Sequence, residues 1–263
     1  MVEIVFHQAH LFRRIVDSLK GLIEDISFDC TQHGMDLQAM DVSHVSLISI
    51  HLPEDCFDTY QCSESMVLNF NVETLTKVLK SADSNDILTI RTERSQDDIE
   101  IQLNAQSEDK STKYKLRPID LEAETVQIPD HQYKAKLTFS SNAFSKLIKS
   151  LLDVDESVIV SCVEGSVTFS ASASTFSSST TYTSGISEDP DETIEIDVTE
   201  QCKVSYALRY LKAISSSSSL SNRVSLSFSN HFPLLIEYDL NEGGYVRFYL
   251  APKVEETDSE EEI

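Results

Sequence analysis

Three sets of residues have types and spacings that could do chemistry. Asp41 and His44 stand three apart, close enough for a carboxylate to orient an imidazole in acid–base catalysis. Five cysteines, Cys30, Cys56, Cys62, Cys162 and Cys202, could ligate a metal or form disulfides. Neither set has the company its chemistry needs. No nucleophile motif, Gly-rich phosphate loop or metal-ligand spacing accompanies Asp41 and His44, so a structural histidine is the better reading. An odd, scattered set of cysteines reads as buried thiols kept reduced in cytosol or nucleus, although Cys56 and Cys62 are close enough to bridge. The chain therefore reads as a non-enzyme with no catalytic residue and no metal site.

The third set is basic. Arg13, Arg14, Lys20, Lys77, Lys80, Lys146, Lys149, Arg209 and Lys212 fall in four segments, 9–20, 72–80, 141–152 and 206–214, whose only acids are Asp17 and Glu73. The whole chain holds 21 basic and 44 acidic residues, a net charge of −23, which by itself repels nucleic acid. The four segments run against that charge. Arg13 and Lys20 are seven apart, and Lys77–Lys80, Lys146–Lys149 and Arg209–Lys212 are each three apart, so each set falls on one helical face. One amphipathic helix with a charged outer face is ordinary. Four that agree in sign against the global charge point to a common surface for a polyanion. No base-reading element or aromatic stacking platform lies beside them, which leaves phosphate contact without sequence readout. So few charges hold DNA weakly and salt-sensitively, and enclosure is one way to keep it.

The elements that must position these residues are legible in outline. In the first segment Leu11, Ile15 and Leu19 recur every four residues beside Phe12 and Val16; the other three carry similar apolar stripes and no internal Pro or Gly. Most of the remaining sequence reads as strand, as in 45–50, 87–90 and 224–228. Each half runs helix, strand pair around a glycine, more strands, second helix, hairpin, which is an internal repeat. Phe28-Asp29-Cys30 before Gly34 parallels Val160-Ser161-Cys162 before Gly165, and Asn85-Asp86-Ile87 parallels Asn222-Arg223-Val224. The expected fold is α+β, with similar domains at 1–117 and 135–254, an exposed acidic connector at 118–134 and a disordered acidic tail at 255–263. Of two Ser-rich stretches, 170–185 reads as strand and 215–221 as a flexible surface loop. No apolar run approaches the roughly 20 residues that cross a bilayer, and Glu3 and two histidines interrupt the first ten residues, unlike a signal peptide.

At this point the sequence resembles the proliferating cell nuclear antigens, the eukaryotic DNA sliding clamps. The resemblance is carried by 40–47 (MDVSHVSL), 57–60 (FDTY), 207–211 (ALRYL) and 249–253 (YLAPK), and it spans nearly the whole chain. It implies two clamp domains per chain in a head-to-tail homotrimer, helices lining the hole and sheets outside, acting in the nucleus as a processivity factor. The implied partners are double-stranded DNA, DNA polymerase, an ATP-driven clamp loader, flap endonuclease and DNA ligase, with no membrane and no cofactor. It also implies a partner-peptide groove made by Met40, His44, Leu47, Val126, Ile128, Pro233, Tyr249, Ala251 and Pro252. The implied subunit interface pairs the strand near Lys110, Tyr114 and Leu116 with that near Phe176 and Tyr182, where this chain has serines and the family often has glycine. The lysine that many such clamps use for ubiquitin attachment aligns with Glu164.

Overall fold

The computed structural model describes residues 1–93, 98–106, 110–121, 126–129 and 131–253. The acidic tail, and Glu122, Glu124 and Asp130 of the connector, lie outside the described residues. The first half contains β1 (Val2–Phe6), α1 (Ala9–Leu19), β2 (Asp25–Thr31), β3 (Gly34–Met40), β4 (Ser46–Pro53), β5 (Thr59–Cys62), β6 (Met66–Asn71), α2 (Val72–Leu79), β7 (Ile87–Thr92), β8 (Ile99–Asn104) and β9 (Ser111–Leu116). The second repeats that order as β10 (Ala135–Ser140), α3 (Ser141–Leu152), β11 (Ser157–Val163), β12 (Ser166–Ser172), β13 (Ser177–Thr183), β14 (Glu195–Val198), β15 (Cys202–Ala207), α4 (Leu208–Ser215), β16 (Arg223–Phe228), β17 (Leu234–Asn241) and β18 (Gly244–Leu250). Each half thus opens with a strand before its first helix, an element the sequence pattern did not separate from it.

Alternation builds the strands: Ile99, Ile101 and Leu103 of β8 are buried while Glu100, Gln102 and Asn104 face outward. Helical spacing builds α1, where Phe12, Ile15, Val16 and Leu19 enter the core. Leu11, expected in that stripe, is 42% exposed. The Asn71 side chain caps α2 by accepting from the Thr74 amide at 3.0 Å. Inside, Phe6, Phe12, Phe28 and Phe57 pack ring to ring in one half, and Phe139, Phe144, Phe169 and Phe228 do so with Tyr182 in the other.

The repeat is exact in backbone anchoring but shifted from the sequence alignment by one residue. The Ala9 amide donates to the Asp86 carbonyl and the Ser141 amide to the Asn222 carbonyl, both at 2.8 Å, so Asp86 rather than Asn85 matches Asn222. The glycines also serve different needs. A Cβ on Gly34 would sit 2.2 Å from the Leu52 carbonyl oxygen, whereas Gly165 supplies a φ of +74° in the β11–β12 turn.

Three sheets result, ordered β5-β1-β7-β8-β9, β14-β10-β16-β17-β18-β4-β3-β2-β6 and β13-β12-β11-β15. The nine-stranded sheet spans both halves, joined where β18 pairs antiparallel with β4. The helices pack as α1 on α2 and α3 on α4. A 3-10 turn at Ser216–Ser219 touches α1, α3 and α4 and links the pairs into one layer. The Ser215–Ser221 stretch is therefore no loose loop. Ser215 and Ser217 are each 2% exposed, because the small side chains let this turn pack between helices.

Candidate nucleic-acid interface and docking groove

None of the nine basic helix residues is buried. Arg14, Lys77, Lys80, Lys146, Lys149, Arg209 and Lys212 are exposed, and Arg13 and Lys20 are half-buried. The two acids of these segments are engaged within them: Asp17 pairs with Arg13 and Lys20, and Glu73 with Lys77 at 2.7 Å. Solvent-screened pairs of this kind add little stability, and the nine basic residues outnumber the two acids. Among the described residues, Arg14, Lys80, Lys146, Lys149, Arg209 and Lys212 have no ion pair. Lys20, Lys80 and Arg209, from different helical segments and both halves, line one cleft of about 910 Å³. Glu24, Asp41 and Glu73 line the same cleft, so the junction between halves brings basic and acidic side chains together.

Asp41 is a scaffold for the loop between β3 and β4. Its carboxylate accepts from the amides of Val45 at 2.8 Å, Ser46 at 2.5 Å and Ser43 at 3.0 Å, and from the Tyr210 hydroxyl on α4 at 3.3 Å. Burial alone would raise its pKa, but these donors outweigh it and hold the carboxyl below its ordinary value. His44 turns away with a left-handed φ of +54°, its Nδ1 2.9 Å from the Met40 sulfur. The two residues are not an acid–base pair.

The loop borders a row of side chains across the seam between the halves. Met40 on β3 stands opposite Leu47 on β4, Leu47 opposite Tyr249 on β18, and Tyr249 opposite Leu235 on β17. Leu47 is buried, and Met40, Leu235 and Tyr249 are half-buried. The Ala251 amide donates to the Val45 carbonyl at 2.9 Å, holding 251–252 beside the loop. The connector crosses nearby, its Val126 amide donating to Gln38 Oε1 at 3.3 Å and its Tyr133 hydroxyl to the Pro233 carbonyl at 3.2 Å. Val126, Ile128, Pro233, Ala251 and Pro252 are half-buried and His44 is exposed. Sequence reasoning missed Leu235; the outward position within Leu234-Leu235-Ile236 was its signal.

Comparison with known families decides the identity. Residues 1–125 match the model of the proliferating cell nuclear antigen N-terminal domain, and 127–253 that of its C-terminal domain. The chain is also 37% identical over 255 residues to the proliferating cell nuclear antigen of Chaetomium thermophilum, covering 97% of this chain and 98% of that one. The chain belongs to the proliferating cell nuclear antigen family. It is a non-enzymatic DNA sliding clamp that serves DNA replication with a DNA polymerase. Among the described residues, no group of three or more His, Cys, Asp or Glu is placed to hold a metal, and no helix is long and apolar enough to cross a membrane.

Six strands end the three sheets of the clamp, β5, β9, β14, β6, β13 and β15; two of them, β9 in the first sheet and β13 in the third, matter for assembly. The Ala105 amide bonds to the Lys110 carbonyl, and the Ala173 amide to the Phe176 carbonyl. These bonds set the antiparallel alternation, so Ser111, Lys113 and Lys115 present backbone groups at one free edge and Ser177, Ser179 and Thr181 at the other. Within one chain the structure does not bring these edges together. Leu116 is buried, Tyr182 packs against Phe139 at 5.0 Å, and the Tyr114 hydroxyl bonds to Ser81 at 2.7 Å, so these side chains serve their own half. Lys110 is exposed, and Phe176 is 54% exposed. Cys30, Cys162 and Cys202 are buried as expected, whereas Cys56 and Cys62 are half-buried free thiols.

Proposed function

We propose that three copies close head to tail into a nuclear ring around duplex DNA, with the basic helix face lining the hole. The observation that carries this reading is the seam inside the chain. By strand order and register, β9 occupies in the first half the place of β18 in the second, and β13 the place of β4. The strands that meet within a chain, β18 and β4, thus have free counterparts at its two ends. Repeating that pairing between copies makes a heterologous contact that closes into a ring. Register carries over too: Arg247 opposite Ser49 and Phe248 opposite Ile48 become Lys113 opposite Ser179 and Tyr114 opposite Ser178 of the next copy. The same residues that have free backbone groups at each edge are then the ones that must bond. Light scattering on the purified chain is expected to give three times 29.5 kDa. A stable monomer or dimer at micromolar concentration overturns the reading.

The row of Met40, Leu47 and Tyr249 with the connector above it is the docking groove for DNA polymerase, clamp loader, flap endonuclease and DNA ligase. Its counterpart at the seam between copies is Ser172, Ser177, Lys115 and Glu100, which is polar, so each chain offers one apolar groove. The groove takes peptides that insert an aliphatic and two aromatic side chains. Leu47→Ala or Tyr249→Ala is expected to weaken such peptides by about 2 kcal/mol, roughly thirtyfold. Unchanged affinity in both variants removes the groove.

A further inference from the structure

We infer that His131 and Phe232 form a clasp that holds the connector in its peptide-receiving position, which makes both positioning residues for partner binding; the inference rests on the groove reading. The His131 imidazole lies flat on the Phe232 ring, centroids 3.7 Å apart and planes 13° from parallel. Tyr133 stands edge-on to both, at 5.1 Å and 5.9 Å, and its hydroxyl donates to the Pro233 carbonyl. Three aromatic rings thus fasten the C-terminal end of the connector to the loop before β17. His131 Nε2 is buried without a hydrogen-bond partner, so at that atom stacking rather than polar contact makes the attachment. Backbone ties already exist on either side. The Lys134 amide is bound to the Phe228 carbonyl at 3.0 Å, and the Val126 amide to Gln38 Oε1 at a longer 3.3 Å. The clasp extends the firm attachment from Lys134 back toward Ile128, the connector residue of the groove.

A connector held in place spares an incoming peptide the ordering of that segment, and loss of the clasp reduces the fraction of molecules ready to bind. A smaller competent fraction slows association and leaves dissociation unchanged, whereas a lost direct contact speeds dissociation. Stopped-flow kinetics with a synthetic peptide carrying one aliphatic and two adjacent aromatic residues separates these cases. His131→Ala and Phe232→Ala are expected to lower the association rate constant about tenfold, with His131→Phe, which keeps a stacking ring, close to the parent. Tyr249→Ala is the control, expected to raise the dissociation rate. An unchanged association rate in His131→Ala, or an effect confined to dissociation, overturns the clasp. An unaffected Tyr249→Ala removes the groove itself and is read separately.

Discussion

Asp41 and His44 look in the sequence like half of a catalytic site, and in the fold they shape a loop. The carboxylate is consumed by three backbone amides and the Tyr210 hydroxyl, a donor 169 residues away that no local pattern announces. A carboxyl with a depressed folded-state pKa stabilises fully above its unfolded value near 4, and that increment is lost as pH falls through the folded value. Asp41→Asn is therefore expected to destabilise the chain at pH 7 by roughly 1–3 kcal/mol. The gap in melting temperature between parent and variant should shrink as pH drops from about 5 to about 2. A gap that stays constant over that range contradicts the role given to the carboxylate. Burial pushes the Cys30 thiol up to about 12, with neighbouring Cys62 adding to the shift, so Cys30 is a core side chain rather than a nucleophile. In the sequence its place two residues after Phe28, across the charged Asp29, is the alternation that puts Cys30 on the buried face.

At the scale of elements, the helices were legible because a 3.6-residue period marks both the buried stripe and the basic face. The register of the repeat was less so. Matching Asn85 to Asn222 is off by one, and in a strand one residue exchanges the two faces, so only hydrogen bonds such as Ala9 to Asp86 fix the correspondence. Ser215–Ser221 was misread because composition alone does not distinguish a loose serine run from one chosen for its small volume. The seam between halves was invisible, since strand order is not written in local pattern. That seam nevertheless carries a sharp prediction. Ser179 presents its amide at the free edge of β13, so Ser179→Pro removes a bond required between copies but none within the chain. The variant is expected to keep a cooperative melt and to run as a monomer in size-exclusion chromatography with light scattering. A trimer of normal strength in that variant rules out the proposed pairing.

For the whole molecule, the deciding feature is segregation of charge. In a chain of net charge −23, nine of the 21 basic residues sit in the segments of a helix layer that both halves build together, and those segments hold only two acids. Lys77, Lys149 and Arg209 come from three of the four helical segments, and among them only Lys77 has an ion-pair partner in the described residues. Changing all three to Glu should abolish polymerase stimulation while the trimer stays intact, and unaltered stimulation would remove the basic face from the account. The enclosure claim itself is tested most directly by retention on DNA of different topology. After loading onto a nicked circle that is then sealed, the clamp is expected to stay bound through a wash at high salt and to be released when the circle is cut to a linear form. Equal, salt-resistant retention on linear duplex with free ends would contradict it.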